Sequence, residues 1–422
     1  MNWFAILLGK LLAAGLRLTG RQGAALPGLV IERVYPKFLP CMLDKLPQGV
    51  VVVTGTNGKT TTTKMLAQLL QDDGLRVLTN KTGGNFVRGI IGTIVQSASW
   101  TGRLPYDIAV IELDEAYAAR FVTVYPPRVS VLLNVMRDQL DRFGEIDTTA
   151  RLLGLVAAAT TKQVVVNDDD PRLRLLPVDK SVSVQRFGVS KRLAGHFPTD
   201  DSLYGAHKTG VERADRTVEL VDIVDRKTTY FIRGEQLTVD LHIDGPHNAQ
   251  NAAAALAALL AIRPNIGMNK LPHMLASLRP AFGRGEVLQI ADRSLVLQLV
   301  KNPAGFIQAL HVLDTHQPDA VAIIINDDYA DGRDVSWLWD VSFTGLAQFK
   351  TIITGGTRGY DMANRLKYEE VAVSSVELAL PKVLKTLLTN TEPGQRVVVF
   401  ATYTAMLKFR RLLKKHGKVV RV

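Results

Sequence analysis

The strongest chemical signal in the sequence is a short segment rich in glycine and threonine that directly follows an apolar run. Residues 51–61 read VVVTGTNGKTT, an apolar strand that turns through two glycines into a helix. In such a turn, backbone N–H groups and the helix start hold phosphate oxygens, and a lysine ammonium reaches the terminal phosphates. The loop is one residue shorter than the usual G-x-x-x-x-G-K-[ST] pattern counted from Gly55, unless Thr54 takes the first position; an ordinary strand–helix turn is the alternative. We call residues 54–61 the phosphate loop, and it predicts a nucleotide site at Thr56, Asn57, Gly58, Lys59, Thr60 and Thr61.

A second candidate is Glu112, which ends the apolar run 108–111. An acid at the carboxyl end of a sheet strand lies where ligands bind in open α/β folds. Carboxylate and hydroxyl oxygens are Mg²⁺ ligands, so Glu112 and Thr60 form the predicted metal site. Asp114 and Glu115 follow immediately, and we interpret Glu115 as a favourable charge at a helix start.

Polar side chains also follow other apolar runs. Residues 79–85 (TNKTGGN) come after the second run, and residues 133–144 (LNVMRDQLDRFG) come after a later one. Both segments could line a bound substrate, although a solvated helix start would also explain the second. His247 and Asn251 are four residues apart and share one face of an alanine-rich helix. A lone histidine is more often structural, so Asn251 is the predicted binding residue.

The elements that must position these residues alternate between strand and helix. That alternation predicts an α/β fold with a parallel-rich sheet covered by helices on both faces. A strong helix is predicted over 248–262, residues 190–240 are expected to be short strands or a surface excursion, and residues 279–286 (RPAFGRGE) are expected to be a turn between domains. The second domain is smaller and also α/β. Strands of the first domain are predicted at 50–53, 77–78, 108–111, 129–133 and 164–166. Strands of the second domain are predicted at 295–299, 320–325, 350–354 and 397–400.

Composition and charge exclude several classes of protein. With 422 residues, 47% hydrophobic and 22% charged, the chain suits two or three globular domains. One cysteine excludes a disulfide framework and a cysteine-built zinc site. The formal net charge is +11, and residues 401–422 hold seven basic residues and no acidic one. That tail predicts a solvated basic helix and short strand, or a surface for anionic lipid or a phosphorylated substrate; no nucleic-acid motif accompanies it.

The first eighteen residues are apolar enough to require an interpretation. Lys10 and Arg17 interrupt them, so they contain no uncharged span long enough for a transmembrane segment. No basic region precedes them, which argues against a signal peptide. An amphipathic helix that packs on the body or lies on a membrane face is expected, and the protein is expected to be cytoplasmic.

Together, these motifs resemble the Mur ligases. The segments GTNGKTTT, the acid after the third strand, DQLDRFGE, GPHNAQNAAAA and FGRGE occur in the order of that family. The resemblance implies that ATP phosphorylates a carboxylate and that an amine then displaces the phosphate to form an amide. It also implies a nucleotide-base contact at Asn251, a phosphate contact at Arg284, and Mg²⁺ at Thr60 and Glu112. Where the family often has D-H-L-D, residues 138–141 read DQLD, so no histidine takes that role here.

The last part of the chain narrows the resemblance to the MurT family. The segments LVKNPAGFIQAL, INDDYADGRDVSWLWDVSF, GGTRGYDMANRLKY and ATYTAML carry it. It implies a lipid II isoglutaminyl synthase, which amidates the α-carboxylate of D-glutamate in lipid II, with ammonia from a glutaminase partner named GatD. It also implies that an acid of the DGRD block completes the partner's Cys–His pair. We favour Asp334, with Asp331 second, against the alternative of a simple turn and helix cap.

One feature of the chain fits a separate glutaminase subunit, and another departs from the MurT family. A glutaminase needs an activated cysteine, whereas Cys41 has no nucleophile turn around it and is predicted to be a buried small hydrophobe. Many MurT proteins carry a four-cysteine zinc ribbon, and residues 190–235 contain no cysteine. His196 and His207 alone cannot rebuild a tetrahedral site, so no zinc is predicted.

The sequence therefore predicts three parts. Residues 1–46 form an N-terminal segment, 47–280 an ATP-binding central domain of the Mur-ligase type, and 281–422 a MurT-type C-terminal domain. Two other interpretations stay open: a ligase like folylpolyglutamate synthase, and a nucleotide-gated scaffold without chemistry.

Overall fold

The computed structural model describes residues 2–18, 25–80, 86–137, 146–197, 199, 215–224, 226–243, 245–279 and 284–416. The chain divides into two compact units, and each is described by itself. The first unit comprises residues 1–136, 146–242 and 247–279, and the second comprises residues 137–145, 243–246 and 280–422. The predicted boundaries after residues 46 and 280 stay predictions.

The first unit contains a nine-stranded sheet. Its strands lie in the order β2-β3-β1-β4-β5-β6-β7-β8-β9. All neighbours from β2 through β7 are parallel, and β7, β8 and β9 form an antiparallel meander at one end. The bounds are β1 Val50–Thr54, β2 Val77–Thr79, β3 Ile108–Glu112, β4 Val129–Leu132, β5 Gln163–Asn167, β6 Ser183–Val189, β7 Val218–Val224, β8 Lys227–Ile232 and β9 Glu235–Asp240.

The position of β1 explains where a ligand would bind. All five residues of β1 are buried, because the strand lies inside the sheet, between β3 and β4, and helices cover both faces there. The chain leaves β1 toward β2 on one side of the sheet and returns through β3 to reach β4 on the other side. This reversal leaves a crevice at the carboxyl ends of β1, β3 and β4, which is the binding position of open α/β sheets.

Helices cover the first unit, and three of them precede the sheet. Gly9 shows how closely the first helix packs, because a Cβ there would lie 2.6 Å from Ile31 Cδ1 and 2.8 Å from Val95 Cγ1. The helices are α1 Asn2–Leu18, α2 Ala25–Val34, α3 Phe38–Leu43, α4 Lys59–Asp72, α5 Val87–Ser97, α6 Glu115–Val122, α7 Ile146–Ala159, α8 Pro171–Arg174, α9 Pro246–Ile262 and α10 Leu271–Ala276.

The second unit contains a six-stranded sheet in the order β10-β11-β15-β12-β13-β14. The pair β10–β11 is antiparallel and the other pairs are parallel. Two apolar clusters, one on each face, bury this sheet. The elements are β10 Arg284–Ile290, β11 Arg293–Leu299, α11 Pro303–Leu310, α12 Val312–His316, β12 Ala320–Ile324, β13 Thr351–Gly355, α13 Gly359–Lys367, β14 Ser375–Glu377, α14 Leu380–Thr389, β15 Arg396–Ala401 and α15 Tyr403–His416.

The predicted fold class is confirmed, and one local prediction is wrong. Residues 284–286 belong to β10 rather than to a turn, because this strand pairs with β11 as a hairpin that the glycines obscured in the sequence. Strands β6 and β14 were not predicted. The helix predicted for the basic tail is α15, and the short strand after it lies outside the described residues.

No helix within the described ranges is long and apolar enough to cross a membrane.

Candidate active site

Two glycines of the phosphate loop have backbone conformations that other residues rarely adopt. Gly55 has a φ of +128° and Gly58 a φ of +85°. A Cβ on Gly55 would lie 2.9 Å from the backbone nitrogen of Asn134, and a Cβ on Gly58 would lie 2.3 Å from Asn251 Oδ1. The loop therefore needs glycine twice, for the turn itself and for the close approach of its neighbours.

Lys59 is the first residue of α4 and is almost fully buried, with 6% of its surface exposed. Its ammonium donates to the carbonyl oxygen of Gly55 at 2.7 Å and to that of Thr56 at 3.3 Å. It also lies 3.2 Å from Asp114 Oδ1 and 3.5 Å from Glu115 Oε2. These carboxylates hold the positive charge at the loop, so Asp114 and Glu115 do more than favour a helix start.

Thr60 and Glu112 meet at the carboxyl ends of β1 and β3. The Thr60 hydroxyl donates to Glu112 Oε1 at 2.7 Å. Asn80, which follows β2, makes two hydrogen bonds to the backbone of Glu112. Its Nδ2 donates to the Glu112 carbonyl at 2.8 Å, and its Oδ1 accepts the Glu112 N–H at 2.9 Å. Three neighbouring strands thus fix one carboxylate beside one hydroxyl.

The segment 133–136, after β4, closes over the phosphate loop from the other side. Asn134 Oδ1 accepts the Asn57 N–H at 2.8 Å, and its Nδ2 donates to the Asn57 carbonyl at 3.1 Å. The Thr56 N–H donates to the Asn134 carbonyl at 3.0 Å, and the Thr56 hydroxyl accepts the Met136 N–H at 3.0 Å. The backbone amides of Thr56 and Asn57 therefore shape the loop, which leaves the start of α4 to face a phosphate.

Asp170 supports this closing segment from beneath. Its Oδ2 accepts the Val135 N–H at 2.6 Å, and its Oδ1 accepts the N–H groups of Arg172 and Leu173 at the start of α8. Burial raises the pKa of this carboxyl to about 6, and the three backbone N–H donors oppose that rise. Sequence reasoning missed Asp170; its position after the polar end of β5 was the available signal.

Asn251 approaches the phosphate loop from α9. Its Oδ1 accepts the Thr62 hydroxyl at 3.3 Å, and the close approach to Gly58 places it at the rim of the loop. Its neighbour His247 shares the helix face as predicted. Cys41 is half-buried, not fully buried as predicted, and its sulfur accepts a hydrogen bond from the Tyr35 hydroxyl at 3.6 Å.

The donor set suits both a nucleotide and a magnesium ion. The start of a fourteen-residue helix presents N–H groups and a positive dipole end to an anion. Lys59 adds a formal charge beside it, and the Thr60 and Glu112 oxygens are ligands of the hard type that Mg²⁺ prefers. Among the described residues, no three histidine, cysteine, aspartate or glutamate side chains are grouped so that they could hold a metal ion.

The second unit holds the two acids of the DGRD block, and their surroundings differ. Asp331 is 5% exposed and contacts Thr404, which follows β15. Its Oδ1 accepts the Thr404 N–H at 2.7 Å and its Oδ2 accepts the Thr404 hydroxyl at 2.5 Å. Burial raises its pKa, although the bonds from Thr404 oppose this.

Asp334 is exposed, three residues further along the same loop. Its Oδ1 accepts the N–H of Ser336, the first residue of a short 3₁₀ turn, at 2.8 Å. It lines an open cleft of about 350 Å³ together with Arg358 and Trp339, and half of the Trp339 surface is exposed. Asp331 therefore secures the loop, while Asp334 faces outward.

Some predicted residues lie outside what the structure describes. Arg284 begins β10, but its side chain is not among the described ones. Residues 81–85 and 138–145, which include the DQLD segment, and His207 also lie outside the described residues.

The comparisons with known proteins agree with both units. Residues 53–259 match the model of the Mur ligase middle domain, and residues 299–406 match the model of the MurT ligase C-terminal domain. Over 93% of its length, the chain is 32% identical to the lipid II isoglutaminyl synthase (glutamine-hydrolyzing) subunit MurT of Streptococcus pneumoniae, of which 92% is covered. The chain belongs to the MurT family. Another MurT subunit, from Staphylococcus aureus, is 30% identical over 88% of this chain and 89% of its own.

Solved structures show the same fold. The ligase MurF of Acinetobacter baumannii superposes with a TM-score of 0.69 at 20% identity, over 92% of this chain and 81% of its own. FolC of Escherichia coli, solved with DHPP and ADP, superposes with a TM-score of 0.63 at 14% identity, over 89% and 91%. The predicted family, fold and class of enzyme, an ATP-dependent ligase, are confirmed for this MurT-family chain.

Replacing Gly58 with alanine is expected to weaken binding of an ATP analogue at least about tenfold, because the loop must move away from Asn251. Gly74 is a matched control, since its φ of +88° imposes the same backbone strain but nothing lies within 4 Å of its would-be Cβ. Gly74→Ala should cost about 1 kcal/mol of stability and leave the dissociation constant unchanged. Isothermal titration of both variants tests this, and equal affinities would refute the role assigned to Gly58.

Proposed function

We propose that this chain amidates the α-carboxylate of D-glutamate in the lipid II stem peptide, with ATP as the energy source. The observation that carries the reaction type is the cluster of Lys59, Thr60 and Glu112 at the head of α4, at the crevice of the sheet. The substrate is supported by the MurT relatives, which are subunits of lipid II isoglutaminyl synthases and match nearly the whole chain.

The proposed reaction has two steps. A carboxylate oxygen of the substrate attacks the terminal phosphorus of ATP, the bond to ADP breaks, and an acyl phosphate forms. Ammonia then attacks the acyl carbon and loses a proton, and the carbon–oxygen bond to phosphate breaks to leave the amide. Activation is needed because a carboxylate oxygen is a poor leaving group at neutral pH.

Each residue of the cluster has a proposed task in the first step. Lys59 stabilises the negative charge that develops on the transferred phosphoryl oxygens, helped by the amides at the start of α4. Thr60 and Glu112 hold Mg²⁺, which when bound neutralises phosphate charge. Asn251 contacts the nucleotide base, and Arg284 serves the phosphate side; both stay proposals taken from the family pattern.

We also propose a partner that supplies ammonia by hydrolysing glutamine, a glutaminase of the GatD type. Asp334 is the acid that would orient the partner's imidazole, as the third member of a triad does. Its exposure supports this choice over Asp331, whose two oxygens are engaged by Thr404. Beside it, Trp339 and Tyr368 stack edge to face with centroids 5.0 Å apart, and half of Trp339 and most of Tyr368 are exposed, so both aromatic rings are available to anchor an interface.

The proposed location is the cytoplasmic face of the membrane, where a lipid-linked precursor presents its stem peptide. The proposed division of the chain is an N-terminal segment at 1–46, a central domain at 47–280 and a C-terminal domain at 281–422.

The rival proposal is a ligase that adds glutamate to a folate, since FolC shares the fold. The rate of phosphate release from Mg-ATP distinguishes the proposed amidation from this rival. We expect unamidated lipid II with ammonium to stimulate phosphate release, whereas lipid II that already carries the amide should not. Stimulation by a folate with glutamate would favour the rival, and no stimulation by any acceptor would favour a scaffold without chemistry.

A further inference from the structure

We propose that the outward face of α1, together with Trp100, docks on an anionic lipid bilayer. This inference deepens the proposed function, because it rests on a substrate that is carried by a lipid. It assigns the contact to particular residues of the first unit, which we call the docking face: Trp3, Phe4, Leu7, Leu8, Leu11 and Trp100.

Helix α1 is apolar on both of its sides. The inner side packs through Ala5, Ile6 and Gly9 against α2 and α5. On the outer side, Trp3, Phe4 and Leu11 are 56%, 54% and 59% exposed, and the half-buried Leu7 and Leu8 lie between them. Residues spaced three, four and seven positions apart lie on the same side of a helix, so these side chains form one continuous apolar stripe without a charge. The outer side of a surface helix is normally polar.

Trp100 extends the stripe beyond the helix. It is 61% exposed and follows α5, and the Lys10 ammonium lies 4.6 Å from the centroid of its ring. The same ammonium donates to the Ala98 carbonyl at 2.6 Å, which fixes α1 to the end of α5. Two exposed tryptophans on one face are typical of the boundary between lipid headgroups and acyl chains, where amphipathic rings reside.

A basic cleft borders the docking face at its Trp3 end. The backbone at Gly102 adjoins α1 there, since a Cβ on Gly102 would lie 3.6 Å from the Trp3 nitrogen. Lys45, Arg76 and Arg103 line this cleft, and Lys45 donates to the Gly102 carbonyl at 3.0 Å. Arg76 pairs with Asp107 at 2.6 Å, yet 59% of its side chain stays exposed.

The charge beside the stripe favours one occupant. Lys10 lies against Trp100, and Lys45, Arg76 and Arg103 line the adjoining cleft, so an anionic headgroup layer is complementary to this region. A twofold dimer through the same stripe would bring two basic clefts into one interface, at an electrostatic cost. An apolar stripe with tryptophans and a basic border is the pattern of a helix that lies in the membrane interface.

Vesicle co-sedimentation of the full-length protein tests the proposal. Vesicles of phosphatidylglycerol and phosphatidylcholine should bind it, with pure phosphatidylcholine binding less. Leu11→Glu should lower the partition coefficient about tenfold or more, because it places a charge where a leucine enters the interface. Leu175→Glu is the matched control, since Leu175 is 66% exposed on another element and should bind like the unaltered protein.

Arg103→Glu should weaken vesicle binding at low salt and lose its effect at high salt, because headgroup attraction is screened. Lys180→Glu, an equal change of charge at an exposed site elsewhere, should bind like the unaltered protein. Replacing Trp3 and Trp100 together with phenylalanine should remove the blue shift of tryptophan emission on vesicle addition, and Trp337 and Trp339 should not contribute to it.

Two results would overturn the docking face. One is vesicle binding by Leu11→Glu that equals that of Leu175→Glu. The other is a dimer of the unaltered protein that Leu11→Glu converts to a monomer while neither binds vesicles, which would assign the stripe to a second copy. Amidation of lipid II in detergent micelles should be the same in Leu11→Glu and the unaltered protein, so a failed docking face leaves the proposed function intact.

Discussion

Replacing Lys59 with alanine is expected to lower ATP-dependent amidation about a thousandfold. Lys59 is the buried cation at the head of α4, and removing a preorganised positive group that faces developing charge has an effect of this order on catalysis. The measurement is the rate of amide formation with saturating ammonium, which removes any dependence on a partner. The nucleotide affinity should fall less than the rate, because the charge on the phosphoryl oxygens is largest in the transition state.

The alanine variant also leaves Asp114 and Glu115 without their cation, and an unpaired buried carboxylate destabilises the fold. Lys59→Arg separates the two effects. An arginine keeps the ion pairs and the melting temperature, but its planar guanidinium cannot replace the ammonium at the loop carbonyls. Lys64→Ala, at an exposed position on the next turn of α4, is the control and should be fully active. An Arg variant with unaltered activity would contradict the role given to Lys59.

Replacing Asp334 with asparagine is expected to abolish glutamine-dependent amidation while sparing amidation with free ammonium. The loss should be on the order of a thousandfold or more, as it is when the acid of a catalytic triad is neutralised. The reason is that the partner's imidazole loses the carboxylate that orients it, whereas the ligase cluster of the first unit is unchanged. The measurement compares both nitrogen sources in the reconstituted complex.

Two neighbouring acids act as controls. Asp340→Asn, at an exposed position after Asp334, should keep both activities. Asp331→Asn should lower the melting temperature, because Thr404 then loses an acceptor for its hydroxyl or its N–H. The assignment of the two acids would be reversed by two results together. The Asp331→Asn variant would be stable and lose only the glutamine-dependent activity, and the Asp334→Asn variant would keep both activities.

Much of the fold could be predicted because its strands carry an unambiguous pattern. The β-branched run 50–53 is buried throughout, and in the first unit the apolar runs of β2, β3, β4 and β5 are each followed by polar residues at one edge of the sheet. Strand β6 could not be predicted from an apolar run, because only some of its residues are buried and Arg186 interrupts it. The hairpin β10–β11 was mistaken for a turn because its glycines resemble a linker.

The contacts of the site were harder to predict than its members. Lys59, Thr60 and Glu112 follow from the phosphate loop and a strand end, but their partners depend on which strands are neighbours. Asn80 reaches Glu112 only because β2 pairs with β3, and Asn134 reaches Asn57 only because β4 pairs with β1. Sheet order is a long-range property that local pattern does not contain.

The same reasoning applies to the second unit. The spacing of the DGRD block places two acids on one loop and does not indicate which of them would orient the partner's imidazole. Burial distinguishes them, because the loop turns at Gly332, which has a φ of +87°, and buries Asp331 against Thr404. Thr404 is distant in sequence and adjacent only because β12 pairs with β15.

The most direct test of the account is the mass of lipid II after incubation with this protein, Mg-ATP and isotopically labelled ammonium, without any partner. We predict incorporation of one labelled nitrogen at the α-carboxyl of D-glutamate, dependent on ATP and absent in Lys59→Ala and Lys59→Arg. Product that forms only when a glutaminase and glutamine are added would show that the partner also organises this active site. Unaltered lipid II under both conditions, with a soluble glutamate acceptor extended instead, would contradict the proposed function.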